Sequence, residues 1–163
     1  MKILYITNLF PLPFNPEIGI FITNRLKAFK SFNIDFEVYG TISTDTFGSR
    51  VFRKITGSKD RESLGSYYEV EGIRYNYISF KRRFMDILFE NVFGKNNLSK
   101  FSKELSKNLY NIIEGQRFDI IHAHGMYEPP AGLVAKLLSQ KLSVPYVVTC
   151  HGSDINLLMP LAK

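Results

Sequence analysis

All three histidines of the chain stand at the ends of two apolar runs, FDIIHAHG (118–125) and YVVTCHGSD (146–154). Imidazole can move a proton near neutral pH, hydrogen-bond a hydroxyl or phosphate, or ligate a metal. His122 and His124 are two residues apart, so on a persisting strand both point to one face. If the strand stops at Ala123, His124 is released into the following loop. We expect His122 to pack under a helix with one ring nitrogen hydrogen-bonded. His124, followed by Gly125 where the chain can turn, is the functional candidate. The second run ends in His151, Gly152, Ser153 and Asp154, an imidazole, a turn residue, a hydroxyl and a carboxylate. Gly152 permits close backbone approach, and Ser153 or Asp154 can cap a following helix. Capping accounts for Asp154 but not for His151.

A third candidate is the loop NLFPLPFNPEIGIF, where Gly19 precedes a helix start and Glu17 stands beside it. Free N–H groups behind such a glycine can receive a phosphate, and Glu17 can bind a hydroxyl or favour the helix dipole. The glycine patterns of dinucleotide and P-loop sites are absent. His122, His124, His151 and Asp154 also have the ligand types of a metal-dependent hydrolase. Against that, the chain is too short for the barrel that usually carries such sites. No G-x-S-x-G elbow surrounds Ser153.

The elements that must position these groups are read from period and punctuation. Lys2 to Phe10 reads as a strand, then a Pro/Asn/Gly loop. From Ile18, the spacing of Ile18, Ile22, Leu26 and Phe29 predicts a helix with Arg25, Lys27 and Lys30 turned outward. Phe36 to Ile42 and Gly72 to Phe80 read as strands, separated by a basic loop over Phe47 to Tyr67. Arg83 to Phe93 predicts a helix with Phe84, Met85, Leu88, Phe89 and Val92 on one side. Leu98 to Ile113 predicts another, with Leu98, Phe101, Leu105, Leu109 and Ile112 as its stripe. Strand Phe118 to Ala123, a helix from about Pro130 to Leu142 and strand Pro145 to Thr149 complete the pattern. Strands alternating with helices imply an α/β fold, a Rossmann-like doubly wound parallel sheet with helices on both faces. Ligands then bind outside the carboxyl ends of the strands, where the histidines and Gly19 fall.

At 163 residues the chain is expected to form one domain. A single cysteine, Cys150, excludes an internal disulfide and suits a cytoplasmic setting. No apolar run approaches the roughly 18 residues of a membrane span. The net charge of +6 is concentrated in patches, among them Lys81, Arg82 and Arg83, and Lys95, Lys100, Lys103 and Lys107. Charge alone does not distinguish nucleic acid, anionic lipid and phosphorylated ligands. No nucleic-acid motif accompanies it, so no nucleic-acid partner is expected.

In order and spacing, ITNLFP with EIGIFITNRLKAF, FDIIHAHG followed by a helix, and VPYVVTCHGSDI resemble the N-terminal domain of family 4 glycosyltransferases of the GT-B fold. The stretch from about Gly48 to Asn97 is the least matched. The resemblance implies an acceptor-binding domain that faces a second, donor-binding domain across a cleft, with sugar transfer from a nucleotide sugar and retention at the anomeric carbon. It places Gly19 near the donor's diphosphate and His124 at the transferred sugar or acceptor. His151 and Asp154 match the HGSD signature lining the same cleft, so His124 and His151 are the expected catalytic pair, and Gly19, Glu17, His122, Ser153 and Asp154 are the expected substrate-binding residues. It implies no essential metal and no cofactor, the nucleotide-diphosphate sugar being a substrate held mainly by the second domain. The acceptor would be a saccharide or lipid-linked sugar of cell-surface polysaccharide biosynthesis. The expected location is the cytoplasm, with Lys81, Arg82 and Arg83 meeting an anionic inner membrane face. Residues 1–163 are then expected to be an N-terminal domain lacking its donor-binding partner and inactive alone. The alternative is a non-catalytic α/β ligand-binding module using the same crevice.

Overall fold

A computed structural model describes residues 1–46, 65–83, 85–86, 97–125 and 131–150. In chain order these form β1 (Lys2–Thr7), α1 (Ile20–Ser31), β2 (Asp35–Asp45), β3 (Tyr67–Val70), β4 (Ile73–Arg82), α2 (Leu98–Ile113), β5 (Ile120–His124), α3 (Ala131–Leu142) and β6 (Tyr146–Thr149). The strands make one sheet in the order β3-β4-β2-β1-β5-β6. All neighbours are parallel except β3 and β4, which are antiparallel. The expected α/β, Rossmann-like architecture is present.

β1 is buried from Ile3 to Thr7, as a central strand covered on both faces must be. Its alternation divides the core. Tyr5 faces Ile22 and Leu26 of α1. Leu4 and Ile6 face the other layer, built from Phe101, Leu105 and Leu109 of α2 and Val134, Ala135 and Leu138 of α3. Phe80 of β4 and Phe101 meet with ring centroids 4.5 Å apart, which seats the start of α2 on the sheet. Chain order reverses at β1, with β2 and β4 on one side and β5 and β6 on the other. That reversal opens a crevice at the carboxyl ends of β1 and β5.

Several boundaries differ from the sequence reading, each for a local reason. β1 stops at Thr7, whose Oγ1 accepts from Leu9 N–H at 3.0 Å and donates to the Leu9 carbonyl at 2.8 Å, closing a turn that competes with the strand. Phe10 then folds back into the core against Gly40, where a Cβ would come within 2.6 Å of its ring. α1 begins at Ile20 because Gly19 is left-handed, φ 72. Tyr67, the expected last residue of the loop, instead opens the strand Tyr67–Val70. Glu71 and Gly72, both at positive φ, form the two-residue turn that pairs it with β4. On α2, Ile113 is buried and Ile112 is 52% exposed, so the apolar stripe ends one residue later than the spacing suggested.

Most of the helix expected over Arg83 to Phe93 lies outside the described residues, as does 47–64. At the two positions described between Arg83 and Asn97, the expected polarity is reversed: Met85 is exposed and Asp86 buried. Asp86 accepts from the Arg83 N–H at 2.9 Å and from Lys100 Nζ at 2.6 Å, tying the turn after β4 to α2. Burial raises its pKa, but the Lys100 hydrogen bond and the Arg83 N–H outweigh it, so the net shift is downward. The carboxylate therefore contributes stability above its unfolded pKa, and this is lost as pH falls through the lowered folded value. Lys100→Met is expected to cost about 1–2 kcal/mol in urea denaturation at pH 7, because a buried acceptor loses a charged partner.

Candidate functional site

The site grows from strand register. Thr7 of β1, His124 of β5 and Thr149 of β6 stand side by side in one row, with Tyr5, His122 and Val147 in the row two residues earlier. β5 persists through His124, so His122 and His124 share the α1 face. Their rings lie 6.5 Å apart, and both lean on Tyr5, at 4.7 Å for His122 and 6.2 Å for His124. Phe21, in the first turn of α1, covers His124 at 5.4 Å.

The exposures are the reverse of those expected. His124 is 0% exposed, whereas His122 is only partly buried. The reason is the position of α1: Phe21 reaches over the end of β5, while the level of His122 is left open toward β6. His122 Nε2 lies 2.8 Å from Thr149 Oγ1, which also accepts from Arg25 Nη1 at 3.3 Å. Arg25 therefore turns in over β5 and β6 instead of outward as its place in the helical pattern suggested. Burial, followed by the Arg25 charge, pushes the His122 pKa down to about 4. Burial also pushes the Tyr5 hydroxyl up to about 12, against the pull of nearby Arg25. Arg25 is the side-chain partner of that hydroxyl, at a geometry short of an ideal hydrogen bond.

The sign of the His122 effect is testable. As pH falls from about 6.5 to about 4, the unfolded chain takes up a proton that the folded chain refuses, so stability is lost across that window. His122→Asn is expected to remove this part of the pH dependence, read as a smaller gap between urea midpoints at pH 7 and pH 4.5. An unchanged gap would show that His122 titrates normally in the folded state.

Gly19 is where the sequence placed it, at the head of α1, but its identity is already required by the backbone. A Cβ there would come within 2.7 Å of the Leu9 carbonyl oxygen and 2.9 Å of Phe10 Cα. The Ile20 N–H donates to the Glu17 carbonyl at 3.3 Å, and the Ile22 and Thr23 N–H groups donate to Gly19. Much of the helix start is thus engaged within its own turn. Glu17 is exposed in the same loop. Gly125, φ 92, follows His124, and a Cβ there would collide with Asn8 Oδ1, so the loops after β1 and β5 meet in close contact. Its N–H donates to the Thr149 carbonyl at 3.0 Å, extending the pairing of β5 with β6.

His151, Ser153 and Asp154 lie outside the described residues. β6 leads toward them, parallel to β5, with Thr149 in register with His124. Among the described residues, no group of three or more His, Cys, Asp or Glu side chains could hold a metal ion. The structure brings together His122, His124, Tyr5, Phe21, Arg25 and Thr149. Tyr5, Phe21, Arg25 and Thr149 were not singled out from sequence because each reads as an ordinary strand or helix residue. Their convergence depends on which strands are neighbours.

The family model of Glycosyltransferase Family 4 matches residues 66–162. Over its whole length the chain is 26% identical to TuaC of Bacillus subtilis (strain 168), a glycosyltransferase named for teichuronic acid biosynthesis, and covers 39% of that protein. A 48-residue stretch, 29% of the chain, is 50% identical to an uncharacterized glycosyltransferase of Methanocaldococcus jannaschii and covers 13% of it. The chain thus spans about two-fifths of the first relative and a smaller part of the second. No solved structure gives a significant match.

Proposed function

Because the chain belongs to Glycosyltransferase Family 4, we propose that it forms the acceptor side of a sugar-transfer cleft in a longer enzyme. That enzyme moves a sugar from a nucleotide-diphosphate donor to a saccharide or lipid-linked acceptor, with retention at the anomeric carbon. The observation that carries the reading is the row of Thr7, His124 and Thr149 at the reversal of strand order, with β6 running on toward HGSD. Open α/β sheets bind their ligands at that place. Transfer through an oxocarbenium-like transition state calls for positioned hydrogen bonds more than for a strong protein nucleophile. His124 and His151 would act on the transferred sugar or acceptor, while Ser153 and Asp154 bind substrate in the same cleft. His122 and Glu17 lie at its margin, and Gly19 lets the backbone approach the donor diphosphate.

A role in cell-surface polysaccharide biosynthesis rests on the relative named for teichuronic acid. The test is transfer by the full-length protein from a panel of nucleotide sugars, with the anomeric configuration of the product read by NMR. Inversion would sink the retaining mechanism, and no transfer with any donor would sink the reading. The reading carries no metal requirement, so a chelator is expected to leave the rate unchanged.

No helix of the described residues is long and apolar enough to cross a membrane. For a lipid-linked acceptor, the cluster Lys81, Arg82 and Arg83 at the end of β4 would hold the protein against an anionic inner membrane face. Each basic residue near such a surface contributes about 1 kcal/mol. Reversing all three charges is therefore expected to reduce co-sedimentation with anionic vesicles by roughly tenfold or more. Salt-insensitive or unchanged binding would exclude this contact.

A further inference from the structure

The two flanks of α1 meet the sheet on opposite sides of its apolar stripe. The stripe itself, Ile22, Leu26 and Phe29, packs with Tyr5 of β1. On one flank Phe21 and Arg25, a turn apart, reach His124 and Thr149. On the other, Thr23, Lys27 and Lys30 follow at helical spacing, and all three reach β4 or the turn that leads into it. Thr23 Oγ1 lies 2.8 Å from the Tyr75 hydroxyl, Lys27 pairs with Glu71 at 2.8 Å, and Lys30 Nζ donates to the Gly72 carbonyl at 3.3 Å.

The Thr23 contact differs from the two lysine contacts in being buried: Thr23 is 3% and Tyr75 0% exposed. Burial pushes the Tyr75 phenol up to about 12, so it keeps its proton and can donate to Thr23 or accept from it. Apolar packing does not call for a polar pair here, because valine and phenylalanine would fill the same space at little cost. What the hydroxyls add is direction. Apolar contact lets a helix slide or roll on a sheet, whereas a buried hydrogen bond is satisfied at one depth and one rotation, and elsewhere leaves two polar atoms unpaired. The exposed Lys27–Glu71 pair contributes little by itself and follows the seat that Thr23 sets.

We propose that Thr23 and Tyr75 are positioning residues for the cleft, their buried hydroxyl pair fixing α1 on the sheet and so holding Phe21 over His124 from the opposite flank of the helix. A slide or roll of α1 that breaks the pair carries Phe21 off the end of β5. The bearing of this on sugar transfer rests on the glycosyltransferase reading. The positioning itself is measured without turnover, so the two fail separately.

The test compares the full-length protein with Thr23→Val, Tyr75→Phe and the double variant. Each is assayed for its urea midpoint and for the rate at which diethyl pyrocarbonate modifies His124, with the site identified by peptide mass spectrometry. Each single variant orphans a buried hydroxyl and is expected to lose stability, whereas the double removes both partners and should recover much of the loss. His124 modification is nevertheless expected to rise in the double variant as in the single ones, by about fivefold, the population change that one buried hydrogen bond supports. Thr23→Ser keeps the hydroxyl and should retain the original rate. Lys100→Met destabilises the other layer without touching α1, and should also leave the rate unchanged. An unchanged rate in the double variant, or a rate that merely follows the urea midpoint with Lys100→Met included, would overturn the proposal. Tyr75→Phe deletes one oxygen and keeps the ring, so its comparison with Lys100→Met decides even if the double variant does not fold. In the transfer assay the double variant is expected to lose kcat by a similar factor. An exposed His124 with kcat unchanged would overturn the role of this pair in the reaction and leave the glycosyltransferase reading standing.

Discussion

Gly19→Ala is expected to destabilise the protein by about 2–5 kcal/mol, a large fraction of the stability of an ordinary domain. Two costs combine. A left-handed backbone costs an L-residue roughly 1–2 kcal/mol, and overpacking typically adds about 1–3 kcal/mol. Both apply, because φ is 72 and the new Cβ would press on backbone atoms of Leu9 and Phe10 at 2.7–2.9 Å. The loop cannot simply withdraw. Phe10 is anchored against Gly40 and stacks on Tyr75, with ring centroids 6.3 Å apart. Relief would have to come from α1, moving Phe21 and Arg25 away from β5 and β6. Urea denaturation is expected to show the loss, and a change below about 1 kcal/mol would mean that the loop relaxes without the helix. The same strain makes Gly19 an imperfect sign of phosphate binding, since the fold requires glycine here whether or not a phosphate approaches.

His124→Ala in the full-length protein is expected to lower kcat by about a hundredfold or more, the scale for removing one positioned hydrogen-bonding group at a site of developing charge. The prediction must be separated from packing, because His124 is wholly buried between Tyr5 and Phe21. A role in transfer requires Phe21, itself 43% exposed, to swing aside and admit the sugar. Phe21→Ala is therefore expected to leave the sheet folded while making His124 far more reactive toward an imidazole-modifying reagent. If the fall in kcat in His124→Ala only tracks the fraction unfolded at the assay temperature, His124 is a packing residue and the assignment fails. If the folded variant is slow at saturating substrate, the ring acts in transfer.

Much of the architecture was legible because it rests on local signals. The helical period over Leu98 to Ile113 located α2 to the residue. The β-branched runs before the histidines located β5 and β6, and alternation of strand and helix implied the parallel sheet. The antiparallel β3 was missed although its signal was present, since Glu71-Gly72 between alternating residues marks a two-residue hairpin turn. Phe10 was read into β1 because an apolar residue after a strand looks the same whether it extends the strand or folds back into the core.

The chemistry was less legible. Which histidine is open depends on where Phe21 lands, and Phe21 lies about a hundred residues before His124 in the sequence. Arg25 has the flanking position of a solvated helical residue, and only the placement of β5 and β6 beside α1 brings it to Thr149. Sequence alone determined the fold class, the strand ends at which the histidines stand, and the resemblance to Glycosyltransferase Family 4, because period, turn chemistry and motif order are properties of neighbouring residues. Only the tertiary structure decided that His124 is covered, that His122 is partly open with its pKa lowered by burial and Arg25, and that Arg25 carries its charge to them. Burial and electrostatic coupling are set by which distant segments pack together, which the order of residues along one strand or helix does not specify.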